Sequence, residues 1–327
     1  DTQPTGGKFD GIYGVLAGVE VMTTLEEQGI TTDAPLEVVV WTNEEGARFS
    51  PAMIGSGVWS GVFDLEYGHS RTDKQGRSIQ QELERIGYLG TKPASARPIK
   101  AAFELHIEQG PILEQEQKQI GIVSGVQGMR WYDLILEGEP RHAGPTPMDV
   151  RRDPFMALQP ILKDLYQLAE DKGPWARATF GDIKAEPGAR NTVPERLTLA
   201  VDLRHPEQAQ LDQMDQRLRS LVEEVARQTG VTCTVNDEWN SAAVNFDSGC
   251  VAAVQAATES LGLSHKHMFS GAGHDAVYLS QVAPTSMIFV PCENGISHNE
   301  AENAVPADIT AGANVLLQAM LTIACAG

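Results

Sequence analysis

No stretch of this sequence limits its folding more than Leu36–Phe49, which reads LEVVVWTNEEGARF. Val38, Val39, Val40 and Trp41 form a short, apolar, largely β-branched run, the composition of a buried parallel strand. The run enters Thr42-Asn43-Glu44-Glu45-Gly46, so two adjacent carboxylates stand at the C-terminal edge of the predicted strand. In open α/β sheets that edge is where ligands bind. Neighbouring carboxylates there can divide two tasks, one as a hard oxygen ligand for a metal and one as a proton carrier. A solvated acidic turn has the same sequence signature, so the pair takes its meaning from the rest of the chain.

The remaining pattern alternates helices and strands. Asp1–Gly11 is a Gly-rich loop, and Asp10 precedes a helix predicted from about Ile12 to Gln28. An Asp at that place is either a helix N-cap or a site residue. Arg71–Ile86 reads as a polar surface helix, and Ala101–Gly110 (AAFELHIEQG) as a second strand running into His106, Glu108 and Gln109. Beyond Ile120 the order becomes β-α-β-β-α-β, the split βαβ or ferredoxin-like pattern, in a unit of roughly 115 residues. Helix/strand alternation resumes near Phe246 with a Gly-rich loop at Ser270–Asp275, a strand at Thr285–Val290, a polar loop at Pro291–Glu302 and a closing helix. The expected fold is therefore α/β: a doubly wound, mostly parallel sheet (1–124 and 242–327) with an inserted α+β ferredoxin-like unit (125–241).

Composition narrows the partners. With 42% hydrophobic residues, the 327-residue chain can pack a core, and no apolar run approaches the length of a membrane span. The net charge of −19 argues against nucleic acid, whose phosphates it would repel. Cys233, Cys250, Cys292 and Cys325 are widely spaced without a CxxC pair, which reads as free thiols in a reducing, cytoplasmic compartment.

Asp10, the Glu44/Glu45 pair, His106 and His298 all fall in loops at predicted sheet edges. Carboxylates with histidines are a ligand set for zinc or manganese, and a bridging carboxylate can hold two such ions about 3.5–4 Å apart. His69, His205, His265 and His267 lack motif support and read as surface residues, and Glu300 and Glu302 as solvated or supporting. Arg204, near a strand end, fits carboxylate recognition or a surface ion pair equally well.

In order along the chain, GGKFDG, NEEGARF, HIEQGP, RHAGPTPM, RNTVP, DLRH, SGAGHDA and ISHNEAE resemble the motifs of the amidohydrolase branch of the M20 metallopeptidase-like family. That branch contains N-carbamoyl-L-amino acid hydrolases, β-ureidopropionases and allantoate amidohydrolases. The resemblance implies that the inserted unit is a lid and dimerisation domain. It also implies two divalent ions (Zn, Mn, Co or Ni), with Asp10 bridging, Glu45 and His298 on one ion and His106 on the other. Glu44 becomes the general base, and Asp1 the residue that orients a metal-bound His lying two positions upstream. With that His and an N-terminal segment of roughly 80 residues outside the sequence, one metal site is expected to be incomplete. By the same resemblance His142 stabilises the oxyanion, Asn191 and Arg204 bind a substrate carboxylate, and Gln109 and His274 line the substrate pocket.

The resulting expectation is a homodimeric hydrolase that cleaves a small ureido substrate, an N-carbamoyl amino acid of the L-α or β-alanine type. Allantoate is the alternative substrate, and a non-catalytic scaffold of the same fold is the alternative of another class.

Overall fold

The computed structural model describes residues 2–325. They form two compact units, one from residues 2–126 and 245–325 and one from residues 127–244. The first unit opens with α1 (Ile12–Glu27), α2 (Ile54–Ser60), α3 (Leu65–Ser70), α4 (Ile79–Ile86), β1 (Ala102–Ile107), α5 (Ile112–Gln115) and β2 (Ile120–Val126). The second unit contains β3 (Gly128–Glu137), β4 (Arg141–His142), α6 (Pro154–Asp171), β5 (Arg177–Glu186), β6 (Thr192–Val193), β7 (Arg196–His205), α7 (Gln208–Thr229) and β8 (Thr232–Ser241). The chain then completes the first unit with β9 (Val244–Asn245), α8 (Ser248–Ser260), β10 (His265–Ser270), α9 (Asp275–Leu279), β11 (Thr285–Val290) and α10 (Pro306–Ala324).

The sheet of the first unit is mixed and runs β1-β11-β2-β10, with β9 beside β2. β1 pairs β11 and β10 pairs β2 in parallel, but β11 and β2 are antiparallel. The link from β1 to β2 holds only the single helical turn of α5. Period-2 alternation sends Leu105 and Ile107 of β1 into a core with Ile120, Ile122, Ile288 and Val290. The same core takes Tyr13, Ala17 and Val21 from α1, Val254 from α8, and Val315 and Ala319 from α10. Each large side chain buried there contributes about 1.5–3 kcal/mol of transfer free energy. The alternate residues Glu104 and His106 consequently leave the sheet on its other face.

Several elements differ from the sequence-based expectation. Residues 35–41 form no strand or helix among the described residues, and Val39 and Val40 are 46% and 69% exposed. A strand exists only beside a hydrogen-bonding neighbour, and residues 35–41 form no ladder with a described segment; Val38 sits close to Gly18 of α1. The polar helix shrinks to α4, because Ser78 and Gln81 form a capping box that starts it late. β2 and β10 are strands that the sequence pattern does not announce. Gly and Ser dilute β2, and His265-Lys266-His267 give β10 the composition of a polar loop. His205 is not a surface residue: it is 4% exposed, and its Nδ1 accepts from Glu207 N at 3.0 Å. α10 is long and apolar enough to cross a membrane, which its scattered Ala, Gly and Thr conceal in the sequence, but Ala311, Val315, Leu316 and Ala319 are buried in the core.

In the second unit a four-stranded antiparallel sheet runs β5-β7-β3-β8. Tyr132, Leu134, Leu136, Leu197, Leu199, Val201 and Leu203 pack against α6 and α7. Asp153 caps α6 through Phe155 N at 2.9 Å. Leu134→Ala should destabilise this unit by about 2–5 kcal/mol, measured as a lower urea midpoint by circular dichroism. A loss below about 1 kcal/mol would place the packed face of β3 elsewhere.

Candidate metal centre

The histidine at the end of β1 is set by the sheet. His106 lies opposite Phe289 of β11, is 6% exposed, and has its Nδ1 2.9 Å from Ile107 O. The chain then turns sharply. Glu108 accepts from Ile112 N (2.9 Å) and Leu113 N (2.7 Å), which fixes the turn, and Gln109 takes a left-handed φ of 57°. Gln109 Nε2 donates to Asp10 Oδ2 at 2.7 Å, whereas its Oε1 is buried with no hydrogen-bond partner among the described residues.

Asp10 is not the cap of α1. Gly11 holds that position, and no side chain caps the helix. The Asp10 carboxylate, 3% exposed, points the other way: Oδ1 is 2.9 Å from His106 Nε2, and Oδ2 is 2.8 Å from Ser297 Oγ and 3.4 Å from His298 Nε2.

The Glu44-Glu45 loop is held by its backbone. Asn43, at φ 59°, donates from Nδ2 to Phe49 O (2.8 Å) and Pro51 O (3.1 Å), and Met53 N donates to Glu44 O at 2.7 Å. Gly46 has φ 70°, and a Cβ there would stand 2.7 Å from Ala52 N, so only glycine fits. Glu45 Oε2 accepts from Gln3 Nε2 at 2.6 Å and lies 3.6 Å from His298 Nε2. The Glu44 carboxyl makes no hydrogen bond among the described residues.

Asp10, Glu45 and His298 thus form a possible metal-binding triad, with ligand atoms all within 4.8 Å of one another. Two ligands each about 2.0–2.1 Å from a tetrahedral ion stand roughly 3.4 Å apart. The two separations from His298, 3.4 Å to Asp10 and 3.6 Å to Glu45, are close to that edge, and Asp10 and Glu45 lie within 4.8 Å of each other, so the donor set suits a divalent ion in chemistry.

Around the triad the electrostatics favour a cation. Burial would raise the Asp10 carboxyl, but the His106 hydrogen bond and charge, helped by Ser297 and His298, hold it well below the usual range. Burial lowers His106, and the Asp10 contact overcomes this and raises it to about 9. Burial, then Glu45 and Glu104, push Glu44 up to about 7. Asp275 is raised to about 8 by burial and by Glu104, while Ser56 Oγ donates to its Oδ1. Glu104 is raised too, mainly by burial; its Oε2 accepts from Ala276 N at 2.8 Å.

His274 is 2% exposed, with Nε2 2.8 Å from Ser270 Oγ and its ring edge-on to His106 at 4.8 Å. Burial, with His106 beside it, lowers its pKa well below the normal histidine value.

Of the two readings open for Glu302, solvated or supporting, the second holds. It is fully buried, and it accepts from Phe9 N (2.8 Å) and Asp10 N (3.0 Å). Its partners lie 293 and 292 residues away, so no local pattern could reveal it. Glu300 is exposed.

His142, Asn191 and Arg204 belong to the second unit. The ladder of β4 with β6 sets His142 opposite Thr192, and Ala143 N donates to Asn191 O at 2.8 Å. His142 Nδ1 accepts from Gly144 N at 3.2 Å, which leaves the ring proton on Nε2 in the neutral form. Arg204 pairs with Asp202, Nη2 to Oδ2 at 2.7 Å. Asp1 lies outside the described residues.

Residues 1–322 match peptidase family M20/M25/M40. The chain belongs to that family. Among M20 relatives, an N-carbamoyl-L-amino-acid amidohydrolase of Rhizobium meliloti is 46% identical over 324 residues, covering 99% of this chain and 78% of the relative. An allantoate amidohydrolase of Bacillus subtilis (strain 168) is 35% identical over 326 residues, covering 99% and 79%. A crystal structure of an amidase of the hydantoinase/carbamoylase family from Burkholderia multivorans superposes with a TM-score of 0.97 at 54% identity, covering 99% of this chain and 79% of that one.

The raised Glu44 carboxyl makes a stability prediction for the metal-free protein. The unfolded chain gives up this proton near the normal value of 4.5, whereas the folded protein keeps it to about pH 7. Stability attributable to Glu44 therefore falls as pH rises through that window. Glu44→Gln should match the wild type near pH 5 and melt about 2–4 °C higher near pH 8, as read by calorimetry after chelation. Equal melting temperatures at both pH values would refute it.

Proposed function

We propose that this M20 member is a divalent-metal-dependent hydrolase that removes the carbamoyl group from N-carbamoyl-L-amino acids. The products are the amino acid, ammonia and carbon dioxide. The observation that carries the reading is the pairing of a metal-suited triad (Asp10, Glu45, His298) with an adjacent Glu44 whose carboxyl has no hydrogen bond among the described residues and is raised to about 7. The names of the relatives support the ureido substrate and make allantoate the nearest competitor.

In this reading Asp10, Glu45 and His298 hold one ion, and Asp10 with His106 contributes to a second. A bound ion supplies Lewis acidity, polarising an amide carbonyl and acidifying water. Glu44 does the proton work: it accepts a proton from the attacking water and delivers it to the departing nitrogen. A base with a pKa near 7 suits both directions of that transfer at neutral pH. The buried, unpartnered Oε1 of Gln109 is an acceptor for a ureido N–H. His274, the other residue assigned to the pocket, turns the edge of its ring to His106. To the inserted unit we assign oxyanion stabilisation by the His142 Nε2–H and carboxylate recognition by Asn191 and Arg204. A role for that unit as lid and dimerisation surface, and a cytoplasmic location, belong to the same reading.

The test is ammonia release from N-carbamoyl-L-α-amino acids, N-carbamoyl-β-alanine and allantoate, with metal analysis and chelation. Turnover is expected to be highest on the first class, to fall on chelation and to return with added divalent ion. Glu44→Gln should lose about 10²–10⁴-fold in kcat while keeping its metal, whereas Glu45→Gln should lose metal. The opposite pattern would exchange the two roles, and no release from any ureido compound would refute the enzyme.

A further inference from the structure

We infer that Glu302 and Ser297 form a clamp that positions the Asp10 carboxylate, and that the affinity of the centre for a divalent cation depends on it. The inference rests on the metal reading above. One loop supplies both residues together with His298. Glu302 Oε1 takes the amide hydrogens of Phe9 and Asp10 at 2.8 and 3.0 Å, which fixes the backbone that carries the Asp10 side chain. Its other oxygen, Oε2, lies 3.0 Å from Ser297 Oγ, and Ser297 Oγ lies 2.8 Å from Asp10 Oδ2. Ser297 has a single proton and donates to one carboxylate at a time. Two carboxylates are therefore joined through backbone on one side and through one hydroxyl on the other.

The loop is closed behind them. Glu302 N donates to Asn299 O at 2.9 Å, and Glu293 N donates to Asn303 O at 2.8 Å. The fit also extends to Gly7, where a Cβ would stand 2.1–2.2 Å from the Glu302 carboxyl. Glycine is thus required at position 7 for Glu302 to reach the Asp10 backbone. Residues that orient metal ligands in this way typically govern affinity by 10–100-fold. Glu302 is a positioning residue: it acts through Asp10 and meets neither ion nor substrate.

The experiment titrates metal-stripped protein with Mn²⁺ and, without metal, follows hydrogen–deuterium exchange at the Phe9 and Asp10 amides. Glu302→Ala should bind Mn²⁺ about 10–100-fold more weakly and exchange those two amides faster. Glu302→Gln should stay within about threefold of wild type. Its Oε1 still accepts both amide hydrogens, and its Nε2 donates to Ser297, whose proton then goes to Asp10. Gly7→Ala displaces Glu302 without altering a carboxylate and should follow Glu302→Ala. Where Glu302→Ala does not fold, Glu302→Asp, one methylene short, is expected to bind Mn²⁺ more weakly than Glu302→Gln.

Wild-type affinity in Glu302→Ala or Glu302→Asp, or equal losses in the Gln and Ala variants, would overturn the clamp. A wild-type protein that binds no Mn²⁺, Zn²⁺, Co²⁺ or Ni²⁺ would overturn the metal reading instead. The exchange of Phe9 and Asp10 would still judge whether Glu302 holds that backbone.

Discussion

The site is organised by the need to keep one buried carboxylate ionised. Asp10 is almost inaccessible, and removing a charge from water costs several kcal/mol unless partners replace the lost hydration. Those partners come from distant parts of the chain: His106 from the end of β1, Gln109 from the turn after it, and Ser297 and His298 from the loop after β11. Each contact satisfies Asp10, and together they bring loops from across the first unit to one point. The interaction that solves a solvation problem therefore also assembles a ligand set.

The sheet makes that assembly rigid. Period-2 alternation along β1 puts Leu105 and Ile107 in the core and releases His106 to the other face. The sheet face from which the imidazole projects is thus tied to burial of its neighbours, and a one-residue register slip that moved it would expose them. The same geometry crowds acids around the centre. Glu44, Glu104 and Asp275 are all raised, with burial as the leading cause in each case. A region in which several carboxyls resist ionisation while Asp10 stays charged is an electrostatic environment that a divalent cation relieves.

The ligand candidates are legible in the sequence because their chemistry is local. A carboxylate or histidine in a loop beside a predicted strand or helix can be recognised without knowing its partners, and Asp10, Glu45 and His298 do converge. β1, β11 and the helices with clear 3.6 periodicity are legible for the same reason. What stays hidden depends on long-range pairing. Residues 38–41 carry β-branched side chains but have no described neighbour to form a ladder with, so propensity alone misleads. β10 is a strand because it pairs β2, although its own residues are polar. Glu302 sits in a stretch, Asn299-Glu300-Ala301-Glu302, that reads as solvated or supporting, and only the fold shows which Glu takes which part: Glu300 is exposed and Glu302 fully buried. His205 is hidden in the same way by its polar surroundings.

Backbone conformation adds a cost that no composition argument contains. Asn43, Gln109 and His298 all adopt positive φ, between 53° and 59°. Left-handed backbone at a non-glycine residue is uncommon and costs about 1 kcal/mol or more. His298 is one member of the triad, Asn43 directly precedes Glu44-Glu45, and Gln109 donates to Asp10. Strain of this kind persists only where surrounding contacts over-determine it, and here they do. Asn43 is tied to Phe49 and Pro51, Gln109 to Asp10 and Ser297, and the His298 loop is braced by Glu302. The division of labour between Glu44 and Glu45 follows from the same constraint. The strained turn at Asn43 sends successive carboxylates to different surroundings, so Glu45 meets Gln3 and His298 while Glu44 has no hydrogen bond among the described residues and can carry a proton.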